Sequence, residues 1–263
     1  MRYLKIFFLH IEHIFEYRSR SVVWFLISLI NPMMLLLFWR GAISANHGVG
    51  TTLPYITSCY LLLVVGGALL TAHVEEDVAN IDIHEGHLSQ YLIRPFPYFW
   101  FKFFEEIPYR LLQGGYGIIV CALAFLVFGN LFELPTDPFV LFLCLVITVM
   151  AYFLSFYFKM LVGMAAFWIQ DIGGLYQLID ILMLVFAGFL VPLEMFPAYL
   201  AKISFILPFS YMVYFPVVAF QGKLSILTML NIIGAQCTWM IIFMVLYFVM
   251  WRGGIRKFTA AGQ

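Results

Sequence analysis

Asp82-Ile83-His84-Glu85-Gly86-His87-Leu88-Ser89-Gln90-Tyr91-Leu92-Ile93-Arg94-Pro95 is a polar, helix-capable stretch set inside a sequence of long apolar runs. An apolar window ends at residue 72 and the next begins at residue 107, so about 35 residues separate them, beyond the length of an ordinary connection. A chain that only needed to turn round could do so in a few residues. The length and polarity of this segment predict a surface on which another molecule docks.

The solvent for the rest of the chain is lipid. Hydrophobic residues make up 64% of the 263 and charged residues 11%, against about 25% charged in a soluble domain. Formal net charge is zero, which speaks against nucleic acid as a partner. A membrane-crossing helix needs about 20 apolar residues, and six windows qualify: 22–39, 55–72, 107–128, 138–158, 172–191 and 226–251. Arg110 lies near one end of the third window, and Asp180 sits deep in the fifth. Runs this apolar are expected as helices, because lipid offers no partner for an unpaired backbone group. The expected fold is therefore an all-α integral membrane protein of six transmembrane helices, forming a single transmembrane domain over 1–263.

Six spans put both termini on one side, and Lys and Arg choose which. With the N-terminus inside, the inner segments hold Arg2, Lys5, Arg18, Arg20, Arg94, Lys102, Arg110, Lys159, Arg252, Arg256 and Lys257, and the outer side keeps Arg40, Lys202 and Lys223. Both termini and the polar stretch are accordingly placed in the cytoplasm, in a multi-pass protein of the plasma (inner) membrane. Residues 1–20 show no short apolar core followed by a small-residue cleavage site. Wound at 100° per residue, they instead gather Lys5, Glu12 and Glu16 on one arc and Leu4, Phe7, Phe8 and Ile11 on the other, the pattern of an amphipathic helix in the membrane interface.

The outer connections differ in character. Asp137-Pro138 reads as N-cap and first helical residue of the fourth span. Residues 189–216 stay apolar yet carry Pro192, Pro197, Pro208 and Pro216, and proline stops helices. Short helices dipping into the outer leaflet, a re-entrant segment, fit that combination, provided that protein covers their backbone.

Signals for chemistry are sparse. The pattern G-x-x-x-x-G-K-[ST] is absent, since Gly222-Lys223 is followed by Leu224, so the chain has no P-loop with which to hydrolyse ATP. Cys59, Cys121, Cys144 and Cys237 lie inside apolar runs without metal spacing and read as packing residues. His73, Glu76, Asp77, Asp82, His84, Glu85 and His87 are metal-capable types, but their spacing matches no metal site, and solvated helices often carry them. Asp180 is the one central intramembrane charge. It must face a partner or a cavity, because a carboxylate at mid-span costs about 2.5–3.5 kcal/mol on insertion scales. Gln177, three residues earlier, shares its face. The pair reads either as a structural hydrogen-bonding group or as part of a translocation path.

Taken in order, these features resemble the membrane subunit of an ATP-binding-cassette exporter of the type-2 (polysaccharide/drug export) permease group, small six-span branch. The likeness covers essentially the whole chain. It rests on Glu85-Gly86-His87-Leu88 followed by Leu92, Arg94 and Pro95, and on Gly188, Pro192 and Pro197 followed by Leu207-Pro208-Phe209. Phe167-Trp168 before Asp171 resembles the small branch. The resemblance implies that residues 82–93 form a coupling helix fitting a groove on a separate ATPase, with Leu88 and Leu92 as apolar anchors on one face. It implies two copies of that ATPase, which bind the ATP and magnesium, and a homodimer or a heterodimer with a sister permease, in contact with membrane lipids. The chain itself would bind no cofactor and would not be an enzyme, and the exported cargo would be hydrophobic or amphipathic. One departure is that residues 81–93 hold no Lys or Arg, where the group's segment is often of mixed charge. Two other readings stand beside this one: an ATP-independent carrier or channel, and a membrane-embedded enzyme built on His73 to His87.

Overall fold

The computed structural model describes residues 2–16, 18–45, 53–128, 135–222 and 224–258, and among them every regular element is helical. In chain order these are α1 (Arg2–Glu16), α2 (Arg18–Ala45), α3 (Leu53–Leu70), α4 (Leu88–Leu92), α5 (Tyr98–Phe128), α6 (Pro138–Met164), α7 (Gly173–Phe186), α8 (Ala198–Ile206), α9 (Phe209–Met212), α10 (Tyr214–Phe220) and α11 (Ile226–Lys257). Four helical stretches are long and apolar enough to cross a membrane: Ser21–Ala45, Tyr98–Leu126, Pro138–Phe167 and Ile226–Lys257. Pro54–Leu70 and Gly173–Phe186 are apolar but shorter. Each window read from the sequence thus holds a helix, the fifth (172–191) only over Gly173–Phe186.

Local chemistry explains several boundaries. Asp137 caps α6 by accepting from the Phe139 amide at 2.8 Å, with Pro138 next, as expected. Ser225 caps α11 through the Thr228 amide, and Arg256 and Lys257 stand in its last turn, where the helix dipole favours cations. Two of the helices that overrun their windows, α5 and α6, carry charges into the fold. Helix α5 starts at Tyr98 and takes in Lys102, Glu105 and Glu106, while α6 runs on past Lys159. Each of these charges is paired inside the fold, as described below.

The core sits along α6, whose residues from Ala151 to Met164 are buried almost without interruption. Helix α11 packs along α6, α3 lies between α2 and α5, and α1 lies against α5. An aromatic cluster centred on Phe99, Phe103, Phe156 and Tyr157 fills the junction of α5 and α6. The outward faces of α2, α5 and α11 expose Trp24, Ile30, Leu37, Leu123, Leu126, Val245 and Val249, among others. Apolar exposure on this scale is stable only against lipid or another protein.

Residues 189–216 form the broken structure that the prolines predict. Gly188 turns with φ +81°, Leu193–Met195 makes one 3₁₀ turn, Pro197 precedes α8 and Pro208 precedes α9. The segment is tied down by side chains from α3 and α11. Tyr60 donates to the Leu190 carbonyl at 2.9 Å, Gln236 to Tyr211 at 3.0 Å and Trp239 to Ile206 at 3.2 Å. These bonds satisfy carbonyls that irregular backbone would otherwise leave unpaired in an apolar setting.

Candidate functional site

The connection from α3 to α5 is an elbow with a buried base and an exposed tip. After α3 the chain enters a π-helical stretch, Asp77–His84, bends through Glu85-Gly86-His87 and forms the short α4 before α5 begins. The base is pinned by charge. Asp82 is 1% exposed, and its Oδ2 lies 2.9 Å from Lys102 Nζ and accepts from the Tyr98 hydroxyl at 2.5 Å. Lys102 also reaches Glu105 at 3.2 Å, and Glu105 lies 3.4 Å from His10 of α1. The bond to Glu105 raises the His10 pKa above its ordinary value, against the opposing effect of partial burial. One chain of ionisable groups therefore links the elbow, α5 and the amphipathic α1.

Packing pins the base as well. Val78, Ala79 and Leu88 are fully buried, and burying Leu88 contributes about 2 kcal/mol. The elbow comes so close to α6 that a Cβ at Gly163 would stand 2.8 Å from Val78 Cβ and 2.9 Å from the Glu75 carbonyl oxygen. Glycine at 163 is what permits that approach.

The continuous helix expected over 82–93 is not what forms. The segment breaks at Gly86, whose φ of +82° lies in the left-handed region that only glycine enters at little cost. Asp82 and Ile83 turn inward before the break and Leu88 after it. Leu88 and Leu92 therefore do not act as paired outward anchors: Leu88 is core, while Leu92 is 44% exposed. The apolar tip is made instead by Leu92 and by Ile93, which is 86% exposed. Glu85, His87, Arg94 and Pro95 are exposed around them, and the Arg94 guanidinium lies over the Tyr91 and Phe101 rings at 5.2 and 5.4 Å. Among the described residues, no group of three His, Cys, Asp or Glu is placed to hold a metal ion.

Asp180 is not the lone charge that its sequence position suggests. Lys159 of α6, 2% exposed, places Nζ 2.5 Å from Glu75 Oε1 and 3.4 Å from Asp180 Oδ1. Tyr176 donates to the Glu75 carbonyl at 3.0 Å. The three charges tie the start of the elbow to α6 and α7. Asp180 keeps its side chain 69% exposed, and Gln177 is exposed beside it on α7. Lys159 reads in sequence as an ordinary cytoplasmic charge just past an apolar window, and Glu75 as one acid in a polar run. Nothing in their spacing couples them across more than eighty residues. Phe167 and Trp168, singled out in the sequence, close the end of α6 against Gly254 and Gly253 of α11, where added Cβ atoms would meet their rings.

The family model described as "ABC-2 family transporter protein" matches residues 29–262, nearly nine-tenths of the chain. The chain belongs to the ABC-2 transporter family. No match to a curated protein accompanies that of the family. An ABC-2 protein of this kind is a transport permease, a multi-pass membrane component that is not itself catalytic. The match begins inside α2, so α1 lies outside it; α1 is held in the fold by its contacts with α5. The elbow, the charged triad and the segment before α11 all fall within the ABC-2 match.

Proposed function

We propose that the chain is the membrane subunit of an ATP-driven exporter. The elbow docks a separate ATP-binding-cassette ATPase, and six spans with both termini in the cytoplasm carry a hydrophobic or amphipathic cargo outward. The observation that carries this reading is the contrast within the elbow. Leu92 and Ile93 stand exposed on a tip whose base is locked by the buried Asp82–Lys102 pair and by Leu88. An exposed apolar tip gains from a groove that covers it, and a rigid base transmits the movement of whatever fills that groove. Glu85 and Arg94 flank the tip, where charges tune the choice of partner more than affinity. Glu75 leads from the elbow to Lys159 and Asp180, which gives displacement of the tip a physical route into α6 and α7. The working unit is two such permeases, two copies of this chain or one with a sister chain, above two ATPases that hold ATP and magnesium. In this reading residues 189–216 are the outer re-entrant segment.

A photo-reactive amino acid at position 93, activated in intact cells, tests the docking. The expected adduct is an ATP-binding-cassette ATPase, and it should be lost when Leu92 is also changed to Asp. Adducts only with lipid, or only with proteins that lack a nucleotide-binding cassette, would overturn the reading. The buried Lys159–Glu75 pair, with Asp180 beside it, favours a second reading, an ion-coupled carrier, because such carriers place ionisable groups within their spans. Transport that persists when cellular ATP is depleted and the proton gradient is kept would select it.

A further inference from the structure

A cavity of ≈ 640 Å³ lies among α1, α2, α3 and α5, on the side of the elbow that the docking argument does not use. Its volume falls in the range of sites for small molecules. Its two ends differ in kind. One is walled by Trp24, Leu63, Val64, Ala68 and Phe189; the other by Thr71, Glu76, Asp77, Glu105, Glu106 and Arg110. Water fills the polar end well and the apolar end poorly. A molecule with an apolar tail and a polar head suits both. Helix α1, whose own pattern places it at the membrane interface, contributes His10 to the wall, so the polar end sits at the depth where lipid head groups lie.

The charges around the polar end choose the head group. Arg110 holds Glu106 at 2.6 Å, and Lys102 and His10 hold Glu105 at 3.2 and 3.4 Å. Glu76 and Asp77, both exposed residues, have no ion pair among the described residues, and the Thr71 hydroxyl, itself buried, has no hydrogen-bond partner there. Burial raises the pKa of the Asp77 carboxyl; Lys102 opposes this, and Glu105, Glu106 and Asp82 add to it. The polar end thus retains two carboxylates without an ion-pair partner and one hydroxyl without a hydrogen-bond partner among the described residues. A bound cation would pair with the first, and a head group that accepts a hydrogen bond would satisfy the second.

We propose that this cavity binds a lipid of the surrounding bilayer whose head carries a protonated amine, with the ammonium between Glu76 and Asp77 and an acyl chain along Leu63, Val64 and Ala68. The site asks nothing of an ATPase and stands whether or not the elbow docks one. It makes the lipid a component of the fold, wedged between the interfacial helix and the first spans.

The test uses the purified chain with a photoactivatable phosphatidylethanolamine and its N-acetylated derivative, which keeps the phosphate, glycerol and acyl chains but turns the ammonium into an uncharged amide. The expected result is labelling of peptides from α3 and α5 by the amine lipid, about tenfold stronger than by the acetylated one, as befits one charge-assisted hydrogen bond. Asp77→Asn together with Glu76→Gln should remove that preference while leaving residual labelling. Equal labelling by the two lipids in the native chain, or labelling confined to the outer faces of α2 and α11, would overturn the proposal without recourse to any variant. A preference that survives both substitutions in a chain of unchanged melting temperature would overturn the assignment of the two carboxylates.

Discussion

Replacing Lys159 by Met keeps a similar apolar stem and deletes the ammonium. Lys159 is 2% exposed, with Nζ 2.5 Å from Glu75 and 3.4 Å from Asp180. Glu75 is 5% exposed and its second oxygen is buried without a hydrogen-bond partner among the described residues, whereas Asp180 is 69% exposed. The loss therefore falls on Glu75. Breaking a buried ion pair from one side costs about 3–5 kcal/mol. Glu75 can limit that cost only by taking up a proton. Burial already raises its pKa above the ordinary carboxylate value, with Lys159 opposing, and removal of Lys159 takes the opposition away. Between the unfolded pKa of about 4.3 and the raised folded value, the folded chain holds a proton that the unfolded chain has released. Stability of the variant should therefore fall as pH rises through that window, by up to about 1.4 kcal/mol per pH unit, and level off above the folded pKa. The double variant Glu75→Gln, Lys159→Met removes both charges. It should regain about 2 kcal/mol and lose the added pH slope. Thermal unfolding in detergent at several pH values, followed by tryptophan fluorescence, measures all three chains. A Lys159→Met chain as stable as the native one near pH 7.5, or a double variant no better than the single, would refute the buried-pair argument.

Two further substitutions probe the base of the elbow. Gly163→Ala drives a methyl to 2.8 Å from Val78 Cβ and 2.9 Å from the Glu75 carbonyl oxygen, and overpacking of that kind costs about 1–3 kcal/mol; an unchanged melting temperature would mean that the elbow does not rest on α6 as described. Gly86→Ala forces a side chain into φ +82° and should cost about 1 kcal/mol, with Gly86→Asn milder because Asn tolerates the left-handed region; equal and negligible effects would show that the bend is not held in that conformation.

Much of the fold is legible in the order of residues. Apolar runs of spanning length, Asp137-Pro138 at a helix start and prolines through 189–216 act locally, and local rules carry them into structure without help from distant contacts. The extra polar length before Arg94-Pro95 is legible in the same way. The direction in which each of its side chains points is not. A helical wheel places Leu88 and Leu92 on one face, but it assumes a continuous helix. Gly86 breaks that helix, and the neighbouring α5 and α6 decide which leucine is core. The charges show the same division. Asp180 announces itself because a carboxylate in lipid is costly, yet its partner Lys159 and their link to Glu75 exist only once α6, α7 and the elbow are packed together. Sequence determined the helices, because hydrophobic length and capping are properties of neighbouring residues. Tertiary structure alone decided the buried ion pairs, the exposed Ile93 and the amphipathic cavity, because each depends on the distance between atoms that the chain keeps far apart.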